Sequence, residues 1–474
     1  MKDEHKKYFE DFLRIESKSV LFKLRVKEMN AWDHLRYKVF YDLLDSKVRK
    51  NEIQNNKELL AKDIFSKIFR ILKNFRWLLK IVFMKKKFDL VVLDYGNRAY
   101  LKGRYINNHL GPATEHLSKS RKVLVLNIST ENSDLEESDT LDIININFLI
   151  QLRSLFSHFI LFSKRDSDSF RKISEIINEN FECKIKSSSL RKDFVQRTYI
   201  DYIFFKYIFR KFKPKDMILC DTGSCKGIYE AASDLKISVY DLQHSLMSEY
   251  NILYTYSNAV PENSVVMPKK ILTYGEFWNN KYNTYAERVA VGSPFHEIKK
   301  SEVFQNEPIK RFSDLDKNKT MIIISGMRSG KKLEEITIKL ADQLEEYRFI
   351  YKLRTNEFSF WKSVYSEYFI QHPRIFVIDS DSPSLYDLFK ASNYQIGVNS
   401  TAIVEGMTFN LKTFILNDGW YIEMLDFLNM GYANLVESAQ DIVVDIDEDN
   451  FQTISPNLLY LENSLENIRK QLDN

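Results

Sequence analysis

Residues 320–344, TMIIISGMRSGKKLEEITIKLADQL, decide how the rest of the chain is read. Thr320 to Ile324 is a short apolar run, Ser325-Gly326 stops it, and Leu333 to Leu344 continues as a helix. A buried strand, a glycine turn and then a helix form the first half of a βαβ unit. Arg348 to Leu353 (RFIYKL) supplies the next strand, which such a crossover makes parallel to the first. The alternation runs on through a strand at Arg374–Ile378, a helix at Ser384–Ala391 and a strand at Tyr394–Val398. A helix opening at Ala402, a strand at Thr413–Leu416 and helices near 420–428 and 456–472 complete it.

Upstream the same pattern recurs. Predicted strands are DLVVLD (89–94), RKVLVLN (121–127), DIININF (142–148), MILC (217–220), ISVYDL (237–242), KILTY (270–274) and Arg288–Val291. Helices are expected at Ile106–Ser118, Phe170–Asn180, Tyr199–Phe212 and Ile228–Asp234. A polar, charged stretch at 296–318 separates the two series, and residues 1–85 read as mostly helical with almost no Gly or Pro. The expected fold class is α/β, with two Rossmann-like domains and an N-terminal helical extension. The expected units are a helical extension at 1–85, a first Rossmann-like domain at 86–300 and a second at 301–474. In open α/β sheets, ligands sit beyond the carboxyl ends of the strands, so chemistry is sought in the turns there.

Composition narrows the function. The chain has 474 residues, 69 Lys and Arg against 65 Asp and Glu, and a net charge of +4, a balance that gives no reason to expect a nucleic-acid partner. Cys183, Cys220 and Cys225 include no CxxC pair, which excludes a disulfide framework and a Cys-rich zinc site, and no His cluster points to a metal. The start MKDEHKKYFEDF lacks a signal-peptide core, and no run reaches 18 apolar residues, so no signal peptide and no membrane span are expected. Residues 63–83 place Lys67, Arg70, Lys73, Arg76 and Lys80 on one helical face and apolar residues on the other. Such a helix suits packing on its own domain or lying in an anionic membrane surface. The expected location is cytoplasmic, with peripheral attachment to the inner face of the membrane through 63–83.

Several strand-end turns carry candidate groups. Asn399-Ser400-Thr401 stands between a strand and a helix, where hydroxyls and free N–H groups attract an anion or simply cap the helix. Glu405, one turn on, can accept hydrogen bonds from vicinal hydroxyls such as those of a ribose. Ser325 and Gly326 offer a hydroxyl and close backbone approach; three residues separate Gly326 from Gly330, so this is not a P-loop. Lys352 and Arg354 fall on one face by alternation, and both can pair with phosphate. In the first half His244, after ISVYDL, titrates near neutrality and is the candidate base, with Glu249 and Asp221 as rivals. Asp94, Asn97, Arg98 and Arg104 follow the first strand and are candidates for an acceptor pocket, or for a cap with solvated charges.

At these turns the sequence resembles bacterial surface-polysaccharide glycosyltransferases of the GT-B type. Asp221…Leu242-Gln243-His244 is similar to the "D…QH" segment of capsule and O-antigen transferases. ILTYG (271–275) and VGSP (291–294) resemble the strand ends that follow in those enzymes. YKLRTNE (351–357) is similar to a "K-x-HP-x-E" motif, and VNSTAIVEG (398–406) to the "S-S/T…E" segment of bacterial sialyltransferases and teichoic-acid-type polymerases. Trp32…Arg36 also looks like this wider family. Arg354-Thr355 stands where His-Pro is usual, so the phosphate contact would pass to Arg354 or the donor would differ.

The resemblance implies a metal-independent GT-B glycosyltransferase with no resident cofactor, a nucleotide-sugar (CMP-, UDP- or similar) as co-substrate and a surface glycan or lipid-linked acceptor. Donor phosphates would fall to Ser325, Gly326, Lys352, Arg354, Asn399, Ser400 and Thr401, and the ribose to Glu405. The rivals are a sugar-nucleotide epimerase or polyol-phosphate transferase of the same fold, and a non-catalytic membrane-associated scaffold.

Overall fold

The computed structural model describes residues 4–48, 74, 76–96, 98–101, 103–129, 135–157, 159–181, 183–220, 225–279, 284–302, 315–326, 329–449 and 451–473. Helices α1 (Glu4–Lys18) and α2 (Ala31–Val48) flank the small hairpin β1 (Arg25–Val26) and β2 (Met29–Asn30). Helix α3 spans 76–83. The chain continues through β3 (Leu90–Asp94), the antiparallel hairpin β4 (Arg98–Leu101) and β5 (Arg104–Asn107), α4 (Gly111–Ser118), β6 (Val123–Asn127) and β7 (Leu141–Asn145). Helices α5 (Phe148–Phe156), α6 (Lys164–Phe181), α7 (Ser187–Phe194) and α8 (Ile200–Phe212) precede β8 (Asp216–Leu219), α9 (Lys226–Asp234), β9 (Ser238–Leu242), β10 (Lys270–Thr273) and β11 (Glu287–Ala290). These strands form a parallel seven-stranded sheet in the order β11-β10-β9-β8-β3-β6-β7.

The second sheet is also parallel. It uses β12 (Thr320–Ile324), β13 (Arg348–Lys352), β14 (Ile375–Ile378), β15 (Tyr394–Gly397), β16 (Lys412–Leu416) and β17 (Asn434–Val436) in the order β14-β13-β12-β15-β16-β17. Two such sheets with a helical N-terminus make a GT-B-type fold. β3, β6 and β12 are buried at every position because helices cover both faces, which is why they read as nearly continuous apolar runs.

The hairpin β4–β5 and the strand β17 have no counterpart in the sequence reading. The helix expected from Ile106 begins only at Gly111, because 104–107 pair with 98–101 and Asn107 Oδ1 accepts the N–H groups of His109 and Leu110.

The two halves share a core. Leu246, Tyr254, Ile271 and Trp278 of the first pack with Ile322, Ile350 and Ile403 of the second. The C-terminal segment crosses back along the ends of β10 and β11. Leu461 N–H donates to Tyr274 O (2.7 Å), and Trp278 Nε1 donates to Leu459 O (2.9 Å). Two strand-end glycines permit this. A methyl group on Gly275 would meet Leu458 O at 2.3 Å, and one on Gly292 (φ +92°) would meet Leu461 O at 2.1 Å. The last helix, Ser464–Asp473, then buries Ile468 and Leu472 in one cluster with Leu110, Ala113 and Leu117, at the start of α4 and along it.

The N-terminal helices form a layer with α6 and α7. Trp32 Nε1 and the Arg36 guanidinium both donate to the buried Glu16 carboxylate, at 2.8 Å and at 2.7 and 2.9 Å. Arg36 also donates to the carbonyls of Ile252 and Thr255, which ties α2 to the loop after β9. Beside it Lys226 Nζ contacts both Asp33 oxygens at 3.0 Å and Tyr256 Oη at 2.8 Å. The Trp32…Arg36 stretch is therefore a buried polar anchor.

Candidate functional site

Strand order places the site. In the second sheet the chain steps outward from β12 through β13 to β14, then returns to the other side of β12 as β15. The turns after β12 and β15 flank this switch point, where α/β sheets open a crevice. A cavity of about 330 Å³ lies there, lined by Ser325, Gly326, Ser329, Arg354, Asn399, Ser400, Asp418 and Glu423 among others. A second cavity of about 310 Å³ shares Tyr41, Arg354, Asn399, Ser400 and Glu423 with it. This one adds Thr401 and, from the first half, His244, Ser245, Asn251 and Leu253. Helix α2 supplies Tyr37 and Tyr41, four residues apart and so on one helical face.

The turns after β12 and β13 are held by one buried carboxylate. Glu357 accepts from Ser325 Oγ (2.9 and 2.7 Å), from Arg354 N–H (2.9 Å) and from Tyr365 Oη (3.2 Å). Arg354 Nε in turn donates to Ser325 O at 3.0 Å. The turns after β12 and β13 are thereby locked together, with the exposed Arg354 guanidinium on the wall of both cavities. Ser400 Oγ accepts from Ala402 N–H at 3.3 Å, so it caps the helix Thr401–Met407 while lining both cavities.

Other predicted residues lie elsewhere. Lys352 does not join Arg354: its ammonium donates to Ser380 O and sits 5.0 Å from the Phe358 ring centroid, where burial pushes its pKa down. The alternation that would align them stops with β13, and Arg354 already caps the turn Thr355–Glu357. Glu405 lines neither cavity. Its carboxyl bonds Tyr386 among Tyr274 and Tyr460, and burial pushes its pKa up to about 7. Glu249 is exposed, with its charge on Lys6 and Tyr250.

Asp94 is buried and accepts from Arg98 Nη1 (2.8 and 2.9 Å), Asn107 Nδ2 (2.7 Å) and Gly96 N–H (2.8 Å). Arg104 pairs with Glu115 beside a separate cavity of about 190 Å³ that also includes His116 and Ile298. Asp221, Asn97 and residues 63–73 and 75 lie outside the described residues.

Glu423 was missed in the sequence, although it follows the end of β16 within the same sheet. It lines both cavities, Asn399 Nδ2 donates to it at 3.4 Å, and burial pushes its carboxyl pKa up to about 7. In the second cavity it is the one carboxylate among the described lining residues, and His244 lines the same cavity. A carboxyl poised near neutrality on a cavity wall can hold or release a proton at working pH. Nothing in the sequence signalled Tyr37 or Tyr41, because the packing of α2 against the cleft is a tertiary fact.

Glu405 makes a stability prediction. Its folded pKa lies above the ordinary 4.5, so the folded chain keeps a proton that the unfolded chain releases. Stability therefore falls as pH rises from about 4.5 through 7, by up to about 3 kcal/mol. Glu405→Gln should exceed the wild type in urea resistance at pH 8 and match it at pH 4.5; equal midpoints at both pH values would contradict this assignment.

No protein-family model matches the chain, and no curated protein matches it. Solved structures share its fold. A Listeria monocytogenes protein described as a UDP-N-acetylglucosamine 2-epimerase aligns with a TM-score of 0.51 at 11% identity, over 81% of this chain and 96% of that one. Staphylococcus aureus MnaA with UDP gives 0.49 at 13% identity over 82% and 95%, and Acinetobacter baumannii MurG gives 0.45 at 10% over 81% and 98%. The L. monocytogenes likeness agrees with the two parallel sheets in defining the class: a GT-B-type protein of two Rossmann-like domains.

Proposed function

We propose that the protein is a metal-independent glycosyltransferase that moves a sugar from a nucleotide-sugar, with CMP or UDP as the carrier, to a surface-glycan or lipid-linked acceptor. One observation carries the reading: Arg354, Asn399, Ser400 and Thr401 from strand ends of the second half and His244 from the first line a single cavity. Arg354 and the hydroxyls of Ser400 and Thr401 would hold the donor phosphates, with Ser325-Gly326 closing the adjoining cavity. As the bond from the sugar's anomeric carbon to the phosphate oxygen breaks, negative charge collects on that phosphate, and a fixed guanidinium there lowers the barrier. His244 would take the proton of the acceptor hydroxyl that forms the new glycosidic bond. Supply of capsule or lipopolysaccharide is the setting this reading implies.

A second reading comes from the L. monocytogenes likeness: C2 epimerisation of a UDP-sugar, the activity in that protein's description. One experiment separates the two. Purified protein incubated with CMP- and UDP-sugars in EDTA should release free nucleotide, faster when oligosaccharide acceptors are added. Inversion at C2 with no nucleotide release would identify the epimerase instead, and neither reaction with any donor would defeat both.

A further inference from the structure

Three neighbouring helices on one side of the first sheet carry outward apolar side chains. Phe83 at the end of α3 is 72% exposed; Phe156 on α5 is exposed, and beyond it Phe159 and Leu161 are 68% and 82% exposed. Ile203 and Tyr207, four residues apart on α8, are exposed as well. These helices form one surface. Lys211 Nζ of α8 donates to Val82 O of α3 (2.8 Å), Arg153 of α5 grips both oxygens of Asp201 on α8 (2.7 Å each), and beneath them Trp77, Leu152 and Phe204 pack on one core cluster. Helix α3 therefore both packs and protrudes: Trp77, Leu78 and Ile81 face the domain while Leu79, Val82 and Phe83 are exposed. Exposed cations border the apolar side chains at Arg76, Lys85, Lys87 and Arg210, and among the described residues none of the four forms a salt bridge. Among the described residues no helix is long and apolar enough to cross a membrane.

We propose that this face seats on the surface of an anionic lipid bilayer. Phenylalanine and leucine can enter the boundary between headgroups and acyl chains while lysine and arginine meet lipid phosphates. A bilayer fits better than a second copy of the chain. A two-fold interface sets a patch against itself, so the cationic rim would confront the same rim. Anionic headgroups neutralise that rim. A bilayer seat also brings the first domain to where a lipid-linked acceptor would stand.

Flotation of the full-length protein on vesicles tests this without donor or acceptor, so its outcome is independent of how the cleft is read. The protein should float with phosphatidylglycerol–phosphatidylcholine vesicles at low salt, and weakly with phosphatidylcholine alone. Binding should fall at least about tenfold in F159S/L161S and again in K85E/K87E/R210E, since each surface cation contributes severalfold. All five side chains are exposed, so thermal melting should stay at the wild-type value and report intact folding. No flotation of the wild type on the anionic vesicles, or flotation unchanged in both variants, would overturn the proposal. A dimer abolished by F159S/L161S, in protein that ignores vesicles, would overturn it too and assign the face to a second copy.

Discussion

Arg354→Ala is expected to lower nucleotide-sugar turnover by about 10²- to 10³-fold, the usual cost of removing one fixed donor to developing charge. The side chain is exposed and its one described bond is Nε to Ser325 O, so the melting temperature of the apo protein should hardly move. Nucleotide-induced thermal stabilisation should vanish with it, because a ligand at 100 times its Kd otherwise contributes about 2.7 kcal/mol. Arg354→Lys keeps the charge but not the planar fork, and should recover only part of the turnover. If Arg354→Ala kept full turnover and full nucleotide stabilisation, the donor phosphates would bind elsewhere.

The second large effect is on folding. Arg36→Met strips the Glu16 carboxylate of its cation in a site where both side chains are almost wholly buried. It also leaves the carbonyls of Ile252 and Thr255 without their guanidinium donor. An uncompensated buried charge costs about 3–5 kcal/mol, which should appear as a marked fall in the urea midpoint. Replacing the pair by E16Q/R36M removes the stranded charge and should recover much of the loss. If the single and double variants lost equal stability, carbonyl satisfaction rather than charge pairing would be the main term. Arg36 also joins α2 to the loop that contributes Asn251 and Leu253 to the cavity, so turnover should fall further than the residual folded fraction explains.

The strands were legible because parallel strands covered on both faces are buried throughout and nearly all apolar, as β3, β6 and β12 are, each with a single polar residue at one end (Asp94, Asn127 and Thr320). The hairpin β4–β5 was not. Arg98 to Asn107 has mixed polarity and pairs outside both large sheets, so no burial pattern marks it.

At the cleft the strand-end rule reaches Ser325, Arg354, Ser400 and His244, all of which line a cavity. The end of β16 at Leu416 obeys the same rule, with Asp418 and Glu423 after it on the cavity wall. Lys352 and Arg354 part company because β13 ends at Lys352 and strand alternation does not extend past it. Glu357 was in view as part of YKLRTNE, but its task of locking two turns together appears only when Ser325, 32 residues earlier, is brought to it.

Local patterning thus determined the α/β class, the position of most strands and the turns worth searching, because secondary structure answers to periodicity over a few residues. Tertiary structure alone decided which of those turns converge, that Glu405 retreats among tyrosines while Glu423 takes a place in the cleft, and that α2 lends it Tyr37 and Tyr41. The reason is that convergence depends on how two sheets and a helical layer pack across hundreds of residues, and no short window of sequence encodes that distance.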